Sequence, residues 1–114
     1  MKAATGMVEA AERDGYMRPD SVLVESSSGN LGVALSMIAA SKGYRFLCVT
    51  DSRCNLATLR LIEALGSQVH IITEPNPRTG LLGARIDYVK SLCLSDDRYV
   101  WLNQYANPEN WKAH

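Results

Sequence analysis

Four short apolar runs, at residues 21–24, 45–50, 69–73 and 99–103, alternate with longer stretches patterned for helices, and this alternation limits the fold more than any other feature. Short runs rich in β-branched and aromatic residues suit strands. Strands that alternate strictly with helices pair in parallel through right-handed crossovers. The expected fold is therefore α/β, a small doubly wound four-stranded parallel sheet with helices on both faces. We expect the strand order third–second–first–fourth. That order puts a topological switch between the first and fourth strands, and such sheets bind ligands at the carboxyl ends of the strands beside the switch. The two loops there are residues 26–31 and 104–107.

The intervening segments read as helices with definite faces. Ala4, Met7, Val8 and Ala11 share one side of the first, opposite Glu9, Glu12 and Arg13, and Gly15 is a natural stop. The second, residues 29–42, carries small apolar residues nearly all round (Val33, Ala34, Met37, Ile38, Ala40), which calls for tight packing. Asn55 suits the N-cap of a third helix whose stripe is Leu56, Leu59, Ile62 and Leu65. The fourth is expected to bury Leu82, Ile86, Val89 and Cys93, with Gly83 allowing close helix–sheet approach. The second strand is apolar throughout its middle and is expected to be covered on both faces.

A chain of 114 residues suits a single domain. Its 12 basic and 12 acidic residues balance without a basic run, which argues against nucleic acid and anionic membrane as partners. No apolar run approaches the roughly 20 residues that span a bilayer, and the first residues lack the apolar core of a secretion signal. Cys48, Cys54 and Cys93 form no CxxC pair, which points to a reducing, cytoplasmic setting. Cys48 and Cys93 read as buried small hydrophobes, and Cys54, in a loop, is the one candidate reactive thiol. His70 lies inside a strand without a second ligand at metal spacing, so no metal site is expected. Trp101 and Trp111 read as packing residues. No nucleophile–base–orienter set is legible.

Between the first strand and second helix the chain reads Glu25-Ser26-Ser27-Ser28-Gly29-Asn30-Leu31-Gly32. Hydroxyls at Ser27 and Ser28 and an amide at Asn30 stand where the unpaired N–H groups and positive dipole end of a new helix favour an anion. One of these polar side chains suffices for capping. The remainder, with Gly29 and Gly32, reads as a loop for a carboxylate or phosphate. Gln104 lies beside the same switch and is a second candidate contact. Gly29-Asn30-Leu31-Gly32 falls short of the dinucleotide fingerprint, yet Asp51, at the end of the next strand, stands at that fold's ribose position. A stand-alone nucleotide-binding module of Rossmann or flavodoxin type therefore remains open.

The loop, read together with Leu61-Ile62-Glu63-Ala64-Leu65-Gly66, Gly80-Leu81-Leu82-Gly83-Ala84 and Asn103-Gln104-Tyr105-Ala106-Asn107-Pro108, resembles the cysteine synthase family of fold-type-II pyridoxal-phosphate enzymes, with these motifs in the family's order and spacing across the whole chain. The ending, Trp101 to Asn107 with Asn110, Trp111 and His114, is similar to the siderophore-type branch, which joins O-phosphoserine and glutamate into a 2,3-diaminopropionate precursor. The resemblance implies that Ser27, Ser28, the backbone at Leu31, and Gln104 hold the substrate α-carboxylate. It also implies that Asn30 bonds the 3′-oxygen of the cofactor ring. Typical members carry threonine at the positions of Ser27 and Leu31. Serine keeps the hydroxyl, whereas leucine removes a donor.

In register, the family's Schiff-base lysine falls just before Met1, and Lys2 is two positions out of step with it. The glycine-rich cup for the cofactor phosphate falls beyond His114. The resemblance thus implies that residues 1–114 are the small, mobile domain of a larger enzyme. The parent, a homodimer, would use pyridoxal phosphate for β-replacement (a transferase or lyase) on O-acetylserine or O-phosphoserine. The fragment has no catalytic residue of its own and is expected neither to turn over nor to hold the cofactor well.

Overall fold

The computed structural model describes residues 2–15, 17–27 and 29–102. Its elements alternate as expected: α1 (Lys2–Arg13), β1 (Val22–Ser26), α2 (Asn30–Lys42), β2 (Arg45–Asp51), α3 (Leu56–Ala64), β3 (Gln68–Ile72), α4 (Gly80–Ser95) and β4 (Tyr99–Trp101). The four strands form one wholly parallel sheet in the order β3-β2-β1-β4. The chain reverses its winding between β1 and β4, and the switch point lies there, as the sequence implied.

Strand alternation divides the core into two layers. Leu23, Phe46, Cys48 and Val100 face α1, α2 and α3, meeting Val8, Leu35, Ile38 and Ile62. Val24, Leu47, Val49 and Trp101 face α4 and pack on Val89. Beyond Arg45, β2 is buried along its whole length, as a central parallel strand covered on both faces should be. No helix is long and apolar enough to cross a membrane among the described residues.

Several faces and boundaries differ from the expectation. β1 continues through Glu25 and Ser26, which pair with Cys48 and Val49. Glu25 can stay in the strand because its carboxylate folds back to accept the N–H of Ser26 at 3.0 Å and the indole N–H of Trp101 at 3.2 Å. β4 closes at Trp101, opposite Val24. Leu102 has left the ladder, and Asn103 lies outside the described residues. In α2 the buried side is Gly32, Leu35, Ser36, Ile38 and Ala39, whereas Met37 is 44 % exposed and Val33 and Ala34 are half-buried. An evenly apolar helix gives no stripe from which to read its rotation.

In α3 only Ile62 is buried, and Leu56 is 59 % exposed. In α4 Leu82 is 53 % exposed, because the first turn lies at the carboxyl ends of the strands, where the sheet offers little cover. Ile86 and Cys93 are half-buried as part of the α4 layer. Gly83 does not serve close approach to the sheet. A Cβ there would collide with the Thr79 side chain, 1.5 Å from its Oγ1, so the glycine accommodates the helix's own first turn. Asn55 caps α3 as expected, its Oδ1 accepting the Thr58 N–H at 2.8 Å.

Candidate functional site

β1 delivers the chain to the carboxyl edge of the sheet, and Ser27 prolongs its pairing by one bond, from its N–H to the Val49 carbonyl at 2.9 Å. The Ser27 side chain then turns back. Its Oγ accepts the N–H of Gly29 at 3.0 Å and that of Gly32 at 2.8 Å, and the residue is only 3 % exposed. A hydroxyl has two lone pairs and one proton. With both lone pairs occupied, Ser27 can only donate further, which is the role an anion requires.

Gly29 is the N-cap residue of α2 and has no side chain to cap with, so Ser27 supplies that oxygen from upstream. Asn30, expected as one possible cap, is instead the first helical residue, exposed and without a side-chain partner among the described residues. Val33 N–H bonds back to the Gly29 carbonyl, while the N–H groups of Asn30 and Leu31 find no acceptor among the described residues. Two open N–H groups, one donor hydroxyl and the positive end of a helix dipole make a candidate anion cradle.

The glycines set the cradle against its supports. Gly29 adopts φ 133°, where side chains are strained, and a Cβ there would sit 3.1 Å from Thr58 Cγ2 and 3.3 Å from Cys54 Sγ. At Gly32 a Cβ would come within 2.7 Å of Cys48 Sγ, so α2 can start this close to β2 only without a side chain there. Cys48 is fully buried, and burial pushes its thiol up to about 12; Cys93 is pushed up to about 11 for the same reason. Both are inert packing residues, as read from the sequence. Cys54, the candidate thiol, is half-buried beside Gly29. His70 is stacked flat on Tyr88, centroids 4.0 Å apart, and no metal-binding cluster exists among the described residues.

Beneath the cradle lies an ion cluster that sequence reasoning missed. Asp51 Oδ1 accepts Arg53 N–H and Nε–H at 3.0 and 2.9 Å, and Oδ2 accepts Arg53 Nη2–H at 2.8 Å and Arg85 Nη1–H at 3.0 Å. The bonds from Arg53 hold the Asp51 carboxyl down at about 2 despite its burial. A carboxylate that is 2 % exposed and saturated by four donors cannot grip a ribose, which removes the observation favouring a nucleotide-binding module. Arg85, only 6 % exposed, also donates from the same Nη1 to the Ser27 carbonyl at 3.2 Å. A basic residue four positions before Val89, on the buried side of α4, was the one available signal.

Of the sequence-derived site, the structure brings Ser27, Asn30 and Leu31 together at the carboxyl end of β1. Ser28 and Gln104 lie outside the described residues. A separate open depression of about 620 Å³ runs along β3 and α4, lined by His70, Ile72, Glu74, Asn76, Asp87 and Tyr88, away from the switch.

Fold and site together define a doubly wound α/β domain with a candidate anion cradle at the switch of its sheet. The whole chain, residues 1–114, matches the family described as pyridoxal-phosphate dependent enzyme, and the chain belongs to that family. Among solved structures it is similar to a hydrogen sulfide-producing enzyme from Fusobacterium nucleatum, at 30 % identity and TM-score 0.74 over 89 % of this chain and 32 % of that one. It is similar also to O-ureido-L-serine synthase, at 30 % identity and TM-score 0.74 over 89 % of this chain and 30 % of that one. A point mutant of that synthase, bound to O-ureido-L-serine, matches at 28 % identity and TM-score 0.77, again over 89 % and 30 %. The chain thus spans about a third of the length of the structures it matches.

Proposed function

We propose that this chain is the substrate-carboxylate-binding, mobile small domain of a pyridoxal-phosphate enzyme of β-replacement, cysteine synthase-like, that takes O-phosphoserine or O-acetylserine as amino-acid donor. The observation that carries the reading is the Ser27 hydroxyl, filled as an acceptor and left to donate beside the open N–H groups of Asn30 and Leu31. A carboxylate bound there would take one bond from the hydroxyl and one from Leu31 N–H, with Ser28 and Gln104 supplying the remainder. Leu31 contributes only its backbone, because its side chain lacks the hydroxyl usual in the family. Gripping the acid end fixes the amino acid's α-carbon and β-substituent with respect to whatever activates them. Closing the domain over that end excludes water.

The described residues fit one edge of the cofactor. The Asn30 amide is exposed at the helix start, without a partner among the described residues, and is suited to the ring 3′-oxygen. Pyridoxal phosphate, when bound, supplies the electron sink that lets an α-proton and a β-substituent depart. Its anchoring lysine and phosphate cup are assigned to the remainder of the enzyme, which is also the proposed partner, in a homodimer. Of the structural relatives, a point mutant of O-ureido-L-serine synthase was solved with O-ureido-L-serine bound, which supports an O-substituted serine as the class of amino acid held. The siderophore-type assignment, O-phosphoserine with glutamate as the second substrate, rests on the sequence motif at residues 101–107.

Heteronuclear NMR of the chain during titration with O-phospho-L-serine, O-acetyl-L-serine and acetate tests the reading. Saturable shifts of the Gly29, Asn30, Leu31 and Gly32 amides are expected with all three. Shifts spread over the molecule, or none at this loop, overturn it. Incubation with pyridoxal phosphate and borohydride is expected to leave no single lysine specifically modified.

A further inference from the structure

All three polar groups of Ser27 are held, and each by a different element. Its N–H is fixed to β2 through Val49, its hydroxyl oxygen to the first turn of α2 through Gly29 and Gly32, and its carbonyl to α4 through Arg85. The third bond is the unusual one, because it crosses from the helix layer on the opposite face of the sheet. Arg85 is itself tethered at Asp51, and the bonds to Ser27 and Asp51 come from one nitrogen, at 3.2 and 3.0 Å. Its Nε is buried without a partner among the described residues, so the bonds to Ser27 and Asp51 rest on Nη1.

We propose that Arg85 is a positioning residue for the anion cradle: by joining the Ser27 carbonyl to the Asp51 carboxylate, it fixes the peptide that carries the hydroxyl and so aims that hydroxyl at an incoming carboxylate. This inference rests on the carboxylate-gripping role given to the loop above. Without Arg85 the Ser27 carbonyl loses its donor, the peptide that follows is free to rotate, and the acceptor geometry that reserves the hydroxyl proton for a ligand is lost. Arg85 does not meet the substrate. The cluster holds two guanidinium groups against one carboxylate, which makes the surroundings of the cradle favourable to an anion as well. Positioning and net charge are separable, because Arg53 carries charge into the same cluster but among the described residues donates only to Asp51, with its side chain 64 % exposed.

The test uses acetate as the probe and the NMR titration of the full chain, on wild type, R85M, R85K and R53M. With the hydroxyl no longer aimed, its bond to the charged ligand is lost, so R85M is expected to weaken acetate binding about ten-fold or more. R85M is also expected to move the unliganded Gly29 and Gly32 amide resonances, which report the bonds to Ser27 Oγ. R85K, whose single ammonium can serve both acceptors, is expected to recover most of the affinity. R53M is expected to lose about two-fold or less, as an exposed charge screened by salt. Equal affinity in wild type and folded R85M overturns the proposal, as does an equal loss in R53M and R85M, which would make the effect one of charge. Should R85M fail to fold, R85Q against R53M decides: each removes one charge from the cluster, so weaker binding by R85Q supports positioning, and equal binding overturns it. A wild type that shows no response to acetate sinks the carboxylate role of the loop, a result distinct from all of these.

Discussion

Replacing Gly32 by alanine tests whether the cradle is held by close approach of α2 to β2. The new Cβ would lie 2.7 Å from Cys48 Sγ, 3.2 Å from Ile62 Cδ1 and 3.3 Å from Ser27 Oγ. Favourable contacts between carbons begin near ~3.5 Å, and sulfur is larger. Cys48 cannot yield easily, since it is fully buried in the central strand. Overpacking of this kind costs about 1–3 kcal/mol. Alanine in a helix regains about 0.5–1 kcal/mol over glycine, so the net loss should be about 1–2 kcal/mol. For a domain of this length that lowers Tm by roughly 4–8 °C.

The decisive comparison is the C48A background, where the obstructing sulfur is gone. C48A alone should lose about 1–2 kcal/mol through the space it leaves. Adding G32A to it should then be neutral or stabilising by up to about 1 kcal/mol, a favourable coupling of about 2 kcal/mol in the double-mutant cycle. Urea and thermal unfolding of the four proteins measure it. Additive losses would show that the contact does not set the spacing of α2 on the sheet.

Removing the Ser27 hydroxyl (S27A) strands two buried N–H groups and should cost about 1–3 kcal/mol in chemical unfolding, together with loss of acetate-induced shifts at Leu31. Thr50 is fully buried with its Oγ1 unbonded among the described residues, so T50V, which keeps the shape and removes the hydroxyl, should raise stability by about 1 kcal/mol; a loss would mean that the oxygen has a partner after all. Asp51, held at about 2 by Arg53, contributes stability that is complete above the carboxyl's unfolded value near 3.8 and is lost as pH falls through about 2. That shift corresponds to about 2 kcal/mol, and D51N should flatten the fall in stability between about pH 4 and 2, as seen by urea unfolding at stepped pH. An unchanged pH profile in D51N would contradict it.

The strand order and the switch point were legible because alternation and helix-stopping glycines act locally, and parallel crossovers leave few topologies. The loop stood out as a candidate for a similar reason: a strand running into serines and glycines before an apolar helix has few structural excuses for its polar residues. What stayed hidden depends on distance along the chain. Glu25 can remain in β1 with a tryptophan from β4 and its own neighbour's N–H to bond its carboxylate. Leu56 and Leu82 fit their stripes, yet lie where the sheet ends. Asp51 looked available for a ribose until two arginines, one of them 34 positions on, were seen to fill it. The fixed role of the Ser27 hydroxyl likewise appears only once its acceptor geometry is known.

Pairing β4 with β1 has a consequence for how the molecule comes into being. As the chain emerges during synthesis, β1, β2 and β3 can associate through neighbouring crossovers, but the crevice beside β1 has only one wall until Tyr99–Trp101 arrives to pair with Val22–Val24. A nascent chain halted before Tyr99 would already possess the serine loop and its supports on α4, and would still lack the second side of that crevice. Completion of this edge of the sheet is therefore a late event, set by the longest strand closure in the fold.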